Sequence, residues 1–319
     1  MTKAIFYLAK PTTGGWPTFT AHLAYGLAGS DGELPTIFKI GKRDENFTRD
    51  FGRGLAYQNV SLGQAIAIAS TFPSIITATD KHYQEAACRL IDEMSCPTVV
   101  HDPTELKLDH IDTLLDLERP TVVIRESMLQ YLPDAKFIKH PYMRCPDFGE
   151  TDQKRAGGVA ISRVDYDKRT HMIAEANRLG ASIWIYGTEN RLYTHHKLNN
   201  EIPEWREMYK GGFPTGDLWA GARLCRNHES MVDMSVISGD GGGTQYTFLE
   251  ALDAGAGLIL HDEWKPSGLL GEISTTVSTA EELKEAVGNP IGPGQTAEKL
   301  LSAHNAVEIA KEYMELCET

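Results

Sequence analysis

The sequence is short of cysteine, with five in 319 residues, at positions 88, 96, 145, 225 and 317. The number is odd and no two stand at metal-ligand spacing. This argues against a disulfide framework or a zinc-ribbon site and fits a reducing cytoplasm. Long apolar runs are missing too, and none approaches the ~20 residues that span a bilayer. The chain passes straight into Ala4–Ala9, too short for a signal peptide and without its cleavage site. A soluble, cytoplasmic protein is expected. There is no internal repeat, no low-complexity segment, no Ser-His-Asp pattern and no cysteine nucleophile motif. Positive charge is in deficit: Lys and Arg number 31 against 44 Asp and Glu, a net charge of −13. That balance opposes indiscriminate nucleic-acid binding, which depends on neutralising phosphates.

Two stretches reverse the sign. Lys39 to Arg53 holds Lys39, Lys42, Arg43, Arg49 and Arg53 against three acids, and Lys136 to Arg144 holds Lys136, Lys139, His140 and Arg144 against none. Both lie in the first half, where any polyanion contact is expected.

What the chain does have is a steady alternation of strand-like apolar runs and helix-length segments, the pattern of parallel α/β sheets. The length suggests two domains. In the first half strands are predicted at Ala4–Ala9, Pro35–Ile40, Ser74–Ala78, Thr98–His101, Thr121–Ile124 and Lys136–Lys139. Helices are predicted at Pro17–Leu27, Lys81–Glu93 and Glu105–Leu115. The pattern lapses around Cys145–Lys154 and restarts with a strand at Gly158–Ile161, a helix at Lys168–Leu179 and a strand at Ser182–Tyr186. Next come a strand at Met234–Ile237, a glycine-rich turn, a short helix and a strand at Gly257–Leu260. Helical periodicity covers Ala297 to Cys317. The expected architecture is α/β, two Rossmann-like domains facing a cleft: residues 1–147, residues 148–300, and a C-terminal helix over 301–319 crossing back. Such pairs bind ligands at the carboxyl ends of their strands.

The most informative stretch is Ser238 to Leu260. Its run Gly241-Gly242-Gly243-Thr244 lets backbone N–H groups approach a phosphate, and the helix that follows adds partial positive charge. Glu250, nearly two turns into that helix, is too deep to cap it and is placed to hold a sugar's paired hydroxyls. This combination suggests a nucleotide-sugar pocket. Ser162–Arg169 follows a strand and opens a helix. Arg163 and Lys168 stand five apart there, so a bidentate fork and a compact ammonium can converge on one pyrophosphate. Asp165 and Asp167 resemble a metal-holding pair, but capping of the next helix is the preferred reading. Gly14 and Gly15 repeat the strand–glycine–helix arrangement in the first half. His101 and Asp102 end a buried strand, where polar side chains face a ligand crevice or cap a helix. His195 and His196 read as surface residues.

Taken together, these positions resemble retaining, nucleotide-sugar-dependent glycosyltransferases of the GT-B fold. The pattern is carried by Ser162-Arg163 with Lys168, by Tyr186-Gly187, and by Leu249-Glu250-Ala251 with Gly255. Tyr246 to Gly255, the pair His101-Asp102 and Ile185 to Arg191 are most similar to the phage enzymes that α-glucosylate 5-hydroxymethylcytosine in DNA. The likeness spans nearly the whole chain. One departure is Gly242, where many members of the family place a second glutamate that touches the donor sugar; Asp240 or backbone amides could take its place.

The resemblance implies a UDP-sugar donor, UDP-glucose or UDP-arabinose, and no required cofactor or metal. Donor contacts would come from Gly14, Gly15, Arg163, Lys168, Tyr186, Gly187, Gly242, Gly243, Thr244, Tyr246 and Glu250, with His101, Asp102, Arg163 and Lys168 at the chemistry. The implied acceptor is a hydroxymethylated pyrimidine in double-stranded phage DNA, flipped from the stack, in the host cytoplasm. Lys39, Lys42, Arg43, Arg49, Arg53, Lys139 and Arg144 would touch DNA phosphates. The alternatives are a small-molecule or saccharide acceptor, a sugar-nucleotide epimerase or hydrolase of the same fold, and a catalytically silent nucleotide-sugar sensor.

Overall fold

A computed structural model describes residues 3–41, 47–80, 82–94, 96–101, 121–149, 154–214, 216–236 and 243–317. The chain forms two compact units. The first is Met1–Met143 with Gly216–Leu218 and Ala303–Thr319; the second is Arg144–Thr215 with Trp219–Ser302.

The first unit is built on an eight-stranded sheet. Its strands are β1 (Ala4–Leu8), β2 (Thr36–Ile40), β3 (Thr48–Gly52), β4 (Leu55–Val60), β5 (Ser74–Thr79), β6 (Thr98–Val100), β7 (Thr121–Val123) and β8 (Lys136–Phe137), in the order β3-β4-β2-β1-β5-β6-β7-β8. Every pairing is parallel except β3 with β4. Strand β1 is buried along its whole length, as a central strand covered on both faces must be. On one face Phe6, Leu8 and Ile76 pack with helices α2 (Leu62–Ala69) and α3 (Gln84–Met94). Helix α3 contributes Ala87, Leu90 and Ile91 at helical spacing; burying a leucine of this kind is worth about 2 kcal/mol. A capping box between Ser61 and Gln64 starts α2.

The second unit has a six-stranded sheet of β9 (Gly158–Ile161), β10 (Ile183–Tyr186), β11 (Tyr209–Gly211), β12 (Ser230–Asp233), β13 (Gly257–His261) and β14 (Ser274–Val277). All pairs are parallel, in the order β11-β10-β9-β12-β13-β14. This is the doubly wound order whose direction reverses between the first strand and the fourth. The helices of the unit include α4 (Thr170–Arg178), α5 (Ala220–Cys225), α6 (Tyr246–Asp253), α7 (Gly268–Ile273), α8 (Ala280–Gly288) and α9 (Gly294–Ala303). Helix α6 ends in a Schellman turn: Gly255 takes φ +76, its N–H bonds Leu252 O at 3.0 Å and Ala256 N–H bonds Ala251 O at 2.8 Å. That geometry explains the glycine after Leu-Glu-Ala.

The final helix, α10 (Ala306–Cys317), belongs to the first unit and packs on α1 (Gly15–Asp31). Two glycines of α1 permit this. A Cβ at Gly26 would lie 2.3 Å from Ala306 O, and one at Gly29 would lie 2.7 Å from a Val307 methyl.

Several boundaries differ from expectation. The strand predicted at Met234–Ile237 sits four residues earlier, at Ser230–Asp233, because the Asp233 carboxylate accepts the Ser235 N–H at 2.8 Å and turns the chain out of the ladder. Helix α1 extends four residues beyond Leu27 and closes on Gly32, whose φ is +80. The C-terminal periodic stretch is two helices, α9 and α10. The helix predicted at Glu105–Leu115 lies outside the described residues. No described helix is long and apolar enough to cross a membrane.

Candidate functional site

At the reversal of strand order in the second unit, the loop after β9 meets the segment after β12. Their contact is a backbone hydrogen bond from Val236 N to Asp167 O at 2.9 Å. Ser162–Arg169, with both predicted phosphate cations, therefore lies beside the chain that leads into the glycine run. The loop is tied on its other side: Val164 N–H bonds Thr188 O and Asn190 N–H bonds Val164 O, each at 3.0 Å, and the Asn190 side chain donates to Asp165 Oδ1 at 2.9 Å. Arg169 enters α4 with φ +44, in the left-handed region. Its guanidinium bonds the His261 ring at the carboxyl tip of β13 and Glu263 at 2.7 Å. His261, Asp262 and Glu263 are close enough together to suggest a metal site, but the Arg169 cation already occupies that group.

Arg163 stands open on this loop, with its side chain 56% exposed, while Lys168 is only 12% exposed. Asp165 and Asp167 do not cap α4, contrary to the sequence reading; the N-cap position is Arg169, and no side chain caps the helix. The carboxylates face the cations instead. Arg163 bonds Asp167 at 2.8 Å and Asp165 at 3.3 Å, and Lys168 lies 4.0 Å from Asp167. The physical reason is local: Asp165 and Asp167 lie two and four residues from Arg163 in the same loop, close enough for its guanidinium to draw both carboxylates.

Glu250 is the fifth residue of α6, a little over one turn in, shallower than its predicted depth. It is 9% exposed. Its carboxylate lies over Gly221 of α5, where a Cβ would come within 2.4 Å of Oε2. The sequence reading missed Gly221, whose only signal was a glycine inside a short helix. Beside it, burial first and the Glu250 charge second push the Cys225 thiol well above its usual range. Tyr246 opens α6 and is buried. Gly243 accepts a hydrogen bond from the Trp264 indole at 3.0 Å, and Thr244 is half-buried. Gly242 lies outside the described residues.

Gly187 has a structural explanation. With φ +152, its missing Cβ leaves room for Ser162 O, which a Cβ would approach to 1.7 Å. Tyr186 beside it is half-buried, and burial raises its phenol above the ordinary range.

In the first unit Gly14 (φ +98) and Gly15 begin α1 with nothing within 4 Å of where their Cβ atoms would be. The N-cap has no side-chain hydrogen bond, and the first turn has no acid. His101, at the tip of β6, is 5% exposed. Its ring meets Phe19 edge-on at 4.8 Å and lies 6.0 Å from Trp16, and its Nε2 donates to Thr77 O at 2.7 Å. Asp102 lies outside the described residues.

The described cations among those proposed for DNA have different surroundings. Lys39 is half-buried between two tyrosine rings. Arg53, at φ +59 in the β3–β4 turn, donates inward to Thr18 Oγ1 at 2.8 Å. Arg144, which belongs to the second unit, is engaged by Asp253 at 2.7 Å and by both carboxylate oxygens of Glu298 at 2.7 and 3.2 Å. Arg49 stacks on Phe47, with 5.4 Å between guanidinium carbon and ring, and Lys139 is exposed. Lys42 and Arg43 lie outside the described residues. A groove of about 610 Å³ on the second unit contains none of the sequence-derived site residues. Its cations Arg169, Arg178 and Lys197 are paired with Glu263, Glu175 and Glu201, the mark of a solvated charged surface.

No protein-family model matches the chain, and no curated protein matches it in sequence. Solved structures do match in fold. HepE of Anabaena, in complex with UDP and glucose, superposes with a TM-score of 0.68 at 11% identity over 100% of both chains. AviGT4, a glycosyltransferase involved in avilamycin A biosynthesis, gives 0.58 at 14% identity, covering 100% of this chain and 97% of its own. An α-glucosyltransferase in complex with UDP and a 13-mer DNA containing an HMU base gives 0.61 at 12% identity, covering 98% of this chain and 94% of its own. The chain has the α/β fold of GT-B glycosyltransferases, with two parallel-sheet domains.

Proposed function

We propose that the chain is a glycosyltransferase that takes its sugar from a UDP-sugar. The observation that carries this reading is the Asp167–Val236 contact, which joins the loop of Arg163 and Lys168 to the chain entering the glycine run at a strand-order reversal. In the proposal Arg163 and Lys168 receive the diphosphate and offset the charge that develops on it as the glycosidic bond breaks. Glu250 accepts the ribose hydroxyls, and the Gly243 and Thr244 backbone lies along the phosphates or the sugar. Gly14 and Gly15 offer amides from the first unit, and Tyr186 and Gly187 line the base. His101 and Asp102 are assigned to the attacking hydroxyl, with Asp102 as its proton acceptor or orienting group. The several UDP-bound structures of the same fold support the choice of nucleotide.

For the acceptor, a hydroxymethylated pyrimidine in duplex DNA is the first reading, supported by the likeness to an α-glucosyltransferase bound to HMU-containing DNA. One observation favours a small acceptor instead: Arg53 donates to Thr18 and Arg144 is held by two carboxylates, so two of the cations offered to a DNA backbone are engaged elsewhere.

Calorimetry with UDP tests the donor site. Arg163→Ala and Glu250→Gln should each weaken binding at least tenfold, about 1.4 kcal/mol. Unchanged affinity in both variants would overturn the assigned roles.

A further inference from the structure

Lys39 has an unusual place for a lysine in a soluble domain. It lies on β2, and its ammonium sits over the Tyr7 ring at 5.2 Å and the Tyr57 ring at 5.3 Å. Phe51 closes the aromatic wall, 5.1 Å from Tyr7 and 6.4 Å from Tyr57 between centroids. Tyr7 is fully buried and Phe51 nearly so, whereas Tyr57, Tyr83 and Lys39 keep partial access to solvent. Tyr7 and Lys39 stand toward the carboxyl ends of β1 and β2, and Tyr83 follows β5, at the sheet edge where parallel strands receive ligands.

The ammonium has three N–H donors, and among the described residues it makes no hydrogen bond and no ion pair. Two ring faces supply only weak cation–π attraction at this partly open position. Asp80, the nearby carboxylate, is committed elsewhere: Oδ2 accepts the Lys10 N–H and Oδ1 the His82 N–H, both at 2.8 Å. Burial lowers the Lys39 pKa, and the Asp80 charge opposes that shift only in part. A second cation, Arg53, faces Tyr7 from the side of α1, whose first turn carries no acid. A recessed positive charge walled by phenols and held short of an anion is a receptor for one.

We propose that Lys39, with Tyr57 as a ring platform, binds an anionic oxygen of the acceptor, a phosphate carried on or next to a sugar or base ring. The proposal rests on the glycosyltransferase reading for the word acceptor, but the anion site stands on the first unit's geometry alone. One phosphate chemistry could come from a free phosphorylated sugar or from a nucleotide of modified DNA, and the test separates the two.

The full chain, saturated with UDP, is titrated by calorimetry with inorganic phosphate, glucose, glucose 6-phosphate and a hydroxymethylcytosine duplex. Lys39→Met, which keeps the chain length without the charge, and Lys39→Arg are compared with wild type. Glucose 6-phosphate should bind at least tenfold more tightly than glucose, lose that margin in Lys39→Met and keep most of it in Lys39→Arg. UDP affinity should be unchanged in both variants, which also reports that they are folded. If the duplex rather than glucose 6-phosphate shows the Lys39 dependence, the phosphate is a nucleotide's and the site stands. Three results overturn the proposal: no phosphate-bearing probe binds wild type, binding is equal in Lys39→Met, or Lys39→Met loses UDP and so places Lys39 on the donor. Failure of wild type to bind UDP would sink the glycosyltransferase reading separately.

Discussion

Asp167 touches the same two cations that are assigned to the donor's diphosphate, so an incoming nucleotide competes with a tethered carboxylate. The contest is mild, because partly exposed ion pairs are worth about 0.2–1 kcal/mol. Asp167→Asn should tighten UDP binding about two- to fivefold by calorimetry, most clearly at low salt. Weaker binding would show that the carboxylate is needed to shape the loop. At this scale the sequence was uneven as a guide. Arg163, Lys168 and Glu250 are conspicuous by spacing after a strand or inside a helix. The partner of Glu250 is a bare Cα at Gly221, and no local pattern announces a glycine that matters by making room across two helices. Lys39 and Arg53 read as DNA-phosphate contacts in a basic stretch, since linear charge counting carries no direction; the structure sets Lys39 against two tyrosine rings and Arg53 on Thr18.

Elements are held in register by a few close backbone approaches. At Gly187 a methyl would meet Ser162 O, and at Gly26 one would meet Ala306 O. Gly187→Ala should therefore force β9 and β10 apart near the loop of Arg163 and cost about 2–4 kcal/mol. Gly26→Val should lift α10 from α1 at a cost of about 1–3 kcal/mol. Urea denaturation checks both, and near-wild-type midpoints would contradict the packing described. Buried strands such as β1 and β13 and the helix α4 were legible, because their apolar residues run continuously or recur at helical spacing. The β3–β4 hairpin was not. Residues Thr48, Arg49 and Asp50 of β3 are exposed on a sheet edge, so no alternation of apolar and polar residues marks the strand, and its turn is set by three successive positive φ values at Gly52, Arg53 and Gly54.

Acid should unfold the molecule through the histidines of its first unit. Burial lowers His22 to about 3 and His304 to about 4, and holds His140 well below its usual range. The unfolded chain binds protons at these positions near pH 6.5 while the folded one does not. Stability is therefore complete above that value and falls as pH drops toward 4 and 3. For His22 or His304, lowering the pH from 7 to 5 should remove about 2 kcal/mol each. Urea midpoints at the two pH values measure this, and a flat profile would contradict the neutral, buried assignment.

At the scale of the whole chain the question is the fate of a UDP-sugar. Its most direct test is incubation with labelled UDP-glucose and UDP-arabinose, separately, with hydroxymethylcytosine duplex, unmodified duplex, simple sugars or sugar phosphates, following both released UDP and the fate of the label. UDP release should be matched by transfer of label to one acceptor class. Transfer to modified DNA should also weaken steeply with added salt. Label found in an isomerised or free sugar from donor alone, or tight UDP-sugar binding with no turnover across the whole panel, would contradict the glycosyltransferase reading.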